Sequence, residues 1–249
     1  MPIMSIEPSQ GKCCAELIKK SKKIAVLTGA GISTNAGIPD FRGPRGLYIT
    51  CRYDPEKVFD FNYFYHDPKP FFDFARDFVG LEGTLRPTVA HQFLAELEKQ
   101  GKLEGIVTQN IDSLHHQAGS QKVLEMHGSF WQSFCMNCDR KFSYEDLKLK
   151  LKEEIIPKCT CGGVIKPDIV FFGEAVKYLK ESQQLALEAD LFFVIGTSCV
   201  VYPAAMIPTL TQGQIVVVNK GKVDLNVYNV ALSVEDDIDE FFKETSRYL

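Results

Sequence analysis

The run IAVLTGAGIS (Ile24 to Ser33) begins as an unbroken apolar strand, breaks at Gly29-Ala30-Gly31, and restarts as a short helix. A strand apolar at every position is one covered on both faces, which is the habit of parallel sheets flanked by helices. Four further runs share this character: GIVTQN (Gly105 to Asn110), VLEMH (Val123 to His127), LFFVIGTS (Leu191 to Ser198) and QIVVVN (Gln214 to Asn219). Helical patterns lie between several of them, in TVAHQFLAELEKQ (Thr88 to Gln100), AVKYLKESQQLALEA (Ala175 to Ala189) and AAMIPTLTQ (Ala204 to Gln212). KCCAELIKK (Lys12 to Lys20) reads as an amphipathic helix before the first strand, and VEDDIDEFFKETSRYL closes the chain as another. Alternating strands and helices predict an α/β fold, a doubly wound parallel Rossmann-type sheet.

Two regions break the alternation. Residues 38–87 are rich in proline and aromatics and read as loops with a short helical patch. Residues 128–170 carry four clustered cysteines and read as a small insert domain, leaving residues 1–127 and 171–249 for the main domain. A chain of 249 residues suits one large domain with such an insert.

Composition excludes several classes. No apolar run approaches the roughly 20 residues that span a bilayer, and the start, MPIMSIEPSQGKCCAELIKK, has no apolar signal core. A cytoplasmic protein with reduced thiols is therefore expected. Lys and Arg number 28 against 32 Asp and Glu, a net charge of −4, which argues against a partner that is nucleic acid or an anionic membrane. The basic stretch Lys19 to Lys23 reads as cations suited to a helix C-terminus rather than as a nuclear address.

The chemistry gathers at strand ends. Gly29-Ala30-Gly31 is either a phosphate-cradling turn or an ordinary tight strand-to-helix turn, since Thr34 stands where the G-x-G-x-x-G pattern needs its third glycine. The other strands run into Ile111-Asp112, His127-Gly128, Gly196-Thr197-Ser198 and Asn219. In open α/β sheets ligands bind outside the carboxyl ends of the strands, so these polar ends face one crevice. His127 follows an apolar strand there, where an imidazole can take a proton near neutral pH. Of His115 and His116, on a helix after QNID, at least one is expected at the surface; His66 and His91 have no suggestive neighbours.

Cys135 and Cys138 form a C-x-x-C pair, and Cys159 and Cys161 follow as C-x-C after 20 residues. Four thiolates fit a closed, structural four-cysteine zinc site with no open position; an iron–sulfur cluster or four free thiols would use the same residues. In the loop Asp40-Phe41-Arg42-Gly43, Arg42 has the fork to meet a diphosphate and Phe41 the ring to wall off a sugar carbon, with plain loop packing the alternative.

Taken together, GAGISTNAGIPDFRGPRGLY, TQNIDSLHHQAG, EMHGS, the cysteine quartet, KPDIVFFGE and GTSCVVYPAA resemble the sirtuins, the NAD-dependent protein deacylases of the silent-information-regulator family, from about Ile24 to Asn219. The resemblance implies an NAD-binding Rossmann-type domain (1–127 and 171–249), a zinc-ribbon module (128–170) holding one zinc, and a cleft between them. It implies that NAD is a co-substrate lined by Gly29, Ala30, Gly31, Thr34, Phe41 and Arg42. Ser33, Gln109, Asn110, Ile111 and Asp112 would surround the nicotinamide and its ribose, and Gly196, Thr197, Ser198 and Asn219 the adenosine side. His127 would be the general base, with Asn110 and Asp112 the other catalytic residues. Val170, Phe172 and Val200 would border an acyl-lysine tunnel. An acetyl-lysine peptide would pair as an added strand between Phe172-Gly173-Glu174 and the Thr197 to Val200 loop.

The implied reaction releases nicotinamide, joins the acyl oxygen to the ribose C1′ as an O-alkylamidate, and ends in lysine and O-acyl-ADP-ribose. Mono-ADP-ribosyl transfer is a second activity open to the same NAD geometry. A catalytically silent NAD or ADP-ribose binder is a third reading, against which Asn110, Asp112 and His127 all speak. The chain departs from the family after Asn219, where KGKVDLN replaces a Thr-containing turn, so adenosine contacts beyond Asn219 stay unassigned. Sirtuins that remove acidic acyl groups carry Tyr-x-x-Arg in the segment that here reads Pro70 to Asp77. The matching positions are Phe74 and Asp77, with Arg76 one place away, so a short neutral acyl group is expected.

Overall fold

The computed structural model describes residues 9–38, 53–81 and 84–249. Helix α1 (Gln10–Lys20) leads into β1 (Ile24–Thr28) and a 3-10 turn over Ala30–Ala36. Helices α2 (Pro55–Val58), α3 (Phe61–His66), α4 (Lys69–Leu81) and α5 (Val89–Lys99) precede β2 (Leu103–Thr108). Then come α6 (Leu114–Gln117), β3 (Val123–Glu125), β4 (Gly128–Cys135), β5 (Lys141–Ser143), α7 (Tyr144–Glu153) and β6 (Ile165–Ile169). The chain ends with α8 (Leu179–Glu188), β7 (Leu191–Ile195), a 3-10 turn over Ala204–Leu210, β8 (Gln214–Val218), β9 (Val230–Val234) and α9 (Ile238–Ser246).

Six parallel strands form the main sheet in the order β3-β2-β1-β7-β8-β9. Counted in chain order within that sheet, this is the doubly wound order 3-2-1-4-5-6, which reverses direction between β1 and β7. Alternate residues feed opposite faces. Ile24, Val26, Phe193, Ile195 and Val216 pack with Ile18 of α1, Leu94 of α5 and Phe242 of α9. Ala25, Leu27, Phe192, Val194 and Val217 pack with Ala186 of α8 and Ile207. The expected fold class holds.

Several boundaries differ from the sequence reading. β9 is an addition to the expected strands, since its residues are mostly exposed at the sheet edge and lack the apolar run that marks the inner strands. The strand expected through His127 ends at Glu125, and Met126 and His127 lie beyond it. The helix expected from Ala175 begins only at Leu179, after Tyr178 in the left-handed region at φ 52°. Ala204–Leu210 winds as a 3-10 turn with Pro208, which has no N–H to donate, inside it.

The four-cysteine segment builds an antiparallel sheet of order β5-β4-β6. Its apolar face shares a second core with the helical patch, where Phe71 of α4 meets the rings of Phe64, Phe72, Phe74, Phe130 and Phe171. Each such buried ring contributes about 1.5–3 kcal/mol of burial. Gly128 is the hinge between the two sheets. Its φ is 68°, and a Cβ there would lie 1.9 Å from the Asp168 carbonyl oxygen, so only glycine lets β4 leave His127 against β6.

Two buried histidines sit beneath the β1 end. His91 closes the capping box of α5, taking the Thr88 main-chain N–H on Nδ1 at 3.2 Å. His115 Nε2 lies 2.9 Å from Thr28 Oγ1, and the two rings are 4.7 Å apart. Burial pushes the His91 pKa down to about 3, and burial with the neighbouring His91 pushes His115 well below its ordinary value. Both are neutral when folded and protonate near pH 6.5 when unfolded. Their contribution is therefore complete above pH 6.5 and lost as pH falls below it, by about 1.4 kcal/mol per pH unit for each ring. Urea unfolding between pH 8 and 5 should show this loss. His91→Gln, which keeps the capping box, should make the slope shallower; an unchanged slope would remove His91 from the account.

Candidate active site

At the reversal between β1 and β7 the two strand ends are locked together. Gly29 N–H donates to the Ile195 carbonyl at 3.0 Å and Gly31 N–H to the Gly196 carbonyl at 2.8 Å. A Cβ on Gly31 would stand 2.7 Å from Gly196 Cα, and Gly196 itself has φ 64°. The glycines of this turn thus serve close approach of two loops. Ala30 is half-buried beside them, and Thr34 is exposed with its hydroxyl given to the Gly31 carbonyl.

Behind this turn lies a buried polar cluster. Ser33 Oγ donates to Asp112 Oδ2 at 2.7 Å, and Leu114 N–H donates to Asp112 Oδ1 at 3.0 Å. Asn110 Nδ2 donates to the Gly29 carbonyl and to Ser33 Oγ, both at 3.2 Å. Burial raises the Asp112 carboxyl above the usual carboxylate range, against these hydrogen bonds. Each of its oxygens still has a lone pair for a further donor. Ile111 lies half-buried between the two and packs against the aromatic core.

Gln109 links three strand ends. Its N–H meets the Thr28 carbonyl, its side chain donates to Thr197 Oγ1 at 3.1 Å, and its carbonyl accepts from His127 Nδ1 at 2.8 Å. A carbonyl can only accept, so Nδ1 carries the proton and Nε2 keeps the lone pair. Burial lowers the His127 pKa, partly offset by this bond, so the ring is neutral at pH 7. The His127 carbonyl in turn accepts from Val170 N–H at 2.8 Å, which sets Val170 beside it.

On the far side, Thr197 Oγ1 also takes the Cys199 N–H, and the Ser198 carbonyl takes the Asp224 N–H. Asn219 Nδ2 bonds the Gly221 carbonyl at 2.8 Å, which ties the divergent KGKVDLN segment to the end of β8. Val200 and Phe172 are exposed, with Gly173 and Glu174 following in a turn. The Phe172 main chain, expected to help pair a peptide, is hydrogen-bonded within the protein. Its N–H donates to the Phe59 carbonyl at 2.7 Å and its carbonyl accepts from Phe61 N–H at 3.1 Å. Next to it, the Glu174 N–H is given to the Phe171 carbonyl at 3.0 Å, and no main-chain bond of Gly173 or of the Glu174 carbonyl occurs among the described residues. Phe41 and Arg42 lie outside the described residues.

The four cysteine sulfurs lie within 4.8 Å of one another, with pairs at 3.4, 3.5 and 3.7 Å. A tetrahedron with metal–sulfur bonds of about 2.3 Å has edges of roughly 3.8 Å, so the quartet fits one structural zinc. The spacings are far beyond the ~2.05 Å of a disulfide. The Cys161 main-chain N–H helps hold the Cys159 thiol down to about 6. Gly163 is required because a Cβ there would lie 2.6 Å from Cys135 Sγ.

Sequence reading passes over Lys166. Its side chain is 2% exposed and paired with Glu174. The signal was a lysine inside the apolar run VIKPDIVFF, since lysines are almost never buried unless paired.

The Sir2 family model matches residues 29–203. An NAD-dependent protein deacetylase of Thermotoga maritima is 44% identical over 213 residues, covering 83% of this chain and 85% of that one. The NAD-dependent protein deacetylase of Sulfurisphaera tokodaii is 43% identical, covering 91% and 90%. Among solved structures, a Sir2 protein with a deacetylated p53 peptide and 3′-O-acetyl-ADP-ribose superposes with a TM-score of 0.88 at 40% identity, over 95% of this chain and 97% of that one. Another, with p53 peptide and NAD+, gives 0.86 at 40% identity, over 95% and 97%.

Proposed function

The chain belongs to the Sir2 family, and on that premise we propose that its strand-end crevice carries the NAD-dependent deacetylation of protein lysine, with His127 as the base. The enzyme is an NAD-dependent protein deacetylase, with NAD as co-substrate and one structural zinc. Its partner is an acetyl-lysine protein or peptide.

The observation that carries the proposal is the orientation of His127. With Nδ1 committed to the Gln109 carbonyl, Nε2 is the only ring nitrogen able to take a proton. NAD supplies the ribose carbon that the acyl oxygen joins as nicotinamide leaves. Ser33, Asn110, Ile111 and Asp112 suit the nicotinamide side, where Asp112 can accept from the carboxamide. Thr197, Ser198 and Asn219 suit the adenosine side. His127 then removes a proton from a ribose hydroxyl, whose oxygen attacks the acyl carbon. Val170, Phe172 and Val200 border the acyl-lysine, and residues 128–170 form the zinc module. A zinc site built from four cysteines needs reduced thiols, which supports a cytoplasmic location. Among the described residues no helix is long and apolar enough to cross a membrane.

Mass spectrometry of an acetyl-lysine peptide incubated with NAD tests the reading. Loss of the acetyl group with O-acetyl-ADP-ribose formed is the expected result. Gain of ADP-ribose would mark transfer instead, and no change a silent binder.

The acyl preference follows from α4. Phe74 is buried among Tyr53, Phe59, Phe71 and Phe78, and the Asp77 carboxylate accepts from the Tyr53 hydroxyl. Arg76 is held away from this cluster by the Glu154 and Ile155 carbonyls and by Asp73. Lys69, the other cation of α4, pairs with Asp73 as well, so this helix offers an acidic acyl group no unpaired cation, and an unpaired carboxylate is costly to bury. Acetyl-lysine should exceed succinyl-lysine in kcat/KM by at least about 100-fold. Matched peptides measure the ratio, and equal rates would refute the pocket assignment.

A further inference from the structure

Residues 171–174 make a tight turn. The Phe171 carbonyl accepts the Glu174 N–H at 3.0 Å, and Gly173 stands third in it at φ 96°. That geometry suits a glycine and little else. The turn is pinned from one side by the Phe59 and Phe61 main chain, which pair with Phe172. From the other side it is pinned by Lys166 of β6. Lys166 Nζ donates to Glu174 Oε2 at 2.9 Å and to the Ile169 carbonyl at 2.7 Å, and lies 4.2 Å from the centre of the Phe171 ring. Glu174 Oε2 accepts the Phe171 N–H as well, at 2.8 Å, so one carboxylate oxygen closes the turn and binds the lysine. Beyond the turn, the Lys177 ammonium pairs with the Asp168 carboxylate, holding the same two segments together.

A buried ion pair is a weak source of stability, because desolvation cancels much of the attraction. It does fix geometry. We propose that Lys166 is a positioning residue for the peptide substrate: through Glu174 it presets the Gly173-Glu174 main chain in the conformation that receives the peptide strand. The proposal rests on the reading that the acetyl-lysine peptide pairs along Gly173-Glu174. A preset edge spares the peptide the cost of ordering it. The pair touches neither His127 nor the nicotinamide-side cluster, so its effect belongs to peptide affinity.

The test is a kinetic comparison of Lys166→Met and Lys166→Arg with the wild-type enzyme, each also melted to record Tm, on an acetyl-lysine peptide and on its copy N-methylated on both sides of the acetyl-lysine, which cannot donate those main-chain hydrogen bonds. Lys166→Met should raise the peptide KM about tenfold, with kcat within about threefold and the KM for NAD unchanged. Lys166→Arg keeps a buried donor and should restore the peptide KM. Glu174→Gln, which preserves shape but not charge, should follow Lys166→Met and serves if that variant fails to fold. A lowered Tm with an unchanged peptide KM would make the pair structural only and overturn the proposal. If N-methylation raises the peptide KM while Lys166→Met does not, the main-chain pairing of the peptide stands and the role of Lys166 falls. If neither changes it, the peptide does not pair here and both readings fall.

Discussion

His127→Ala should lower deacetylation about 10²–10⁴-fold, the usual worth of a positioned base, while NAD still binds. The ring is placed by main chain on both sides: Nδ1 is held by the Gln109 carbonyl, and the residue's own carbonyl by Val170 N–H. Neither bond depends on a neighbour's side chain, so no substitution at Gln109 imitates the loss of His127. The NAD-side groups, Ser33, Asn110, Asp112 and Thr197, bond one another, Gln109 or nearby main chain, and not the imidazole. Calorimetric titration of NAD into the variant should therefore give a Kd within a few-fold of wild type. Because burial lowers the His127 pKa, the base stays neutral as pH falls through 6.5, and activity is lost only below that lowered value. Near-normal turnover by His127→Ala, or an acid limb above pH 6.5 in kcat, would show that another group takes the proton.

Cys138→Ser should empty the metal site and lower Tm by about 10 °C, since structural zinc supplies folding energy directly. Wild-type protein, purified reduced, should hold one zinc per chain. The variant's loss spreads along the chain. Cys135 ends β4, and its N–H is accepted by the Arg140 carbonyl, while Cys159 N–H reaches the Gly163 carbonyl just before β6. Met136 N–H reaches the Val164 carbonyl, so the metal knuckles set how β4 and β6 meet. β6 carries Lys166, and the second core beneath it carries Phe130 and Phe171. Peptide turnover should thus fall with zinc although no sulfur is open to substrate. Less than half an equivalent of zinc in the wild-type protein would sink the assignment, as would a variant that melts like the parent.

The inner strands were legible because covered parallel strands must be apolar at every position, as in IAVL, LFFVI and IVVV. The metal quartet was legible because thiolates that share an ion must come in close pairs. Polar residues at strand ends announced a crevice, and the motifs they belong to announced a family. β9 was not legible: an edge strand needs no apolar face on its free side, so VALSV carries little pattern. Nor was the use of the glycines at 29 and 31, which depends on Gly196, a residue 165 positions further along than Gly31, meeting them across β1 and β7. The tautomer of His127 and the commitment of Phe172 to Phe59 and Phe61 are likewise set by atoms distant in sequence. Periodicity and residue type record which side of an element is buried, and that the chain determines alone. Which polar atom meets which partner depends on how elements close over one another, so the proton on Nδ1 and the burial of Lys166 against Glu174 were decided only when β2, β4 and β6 came together.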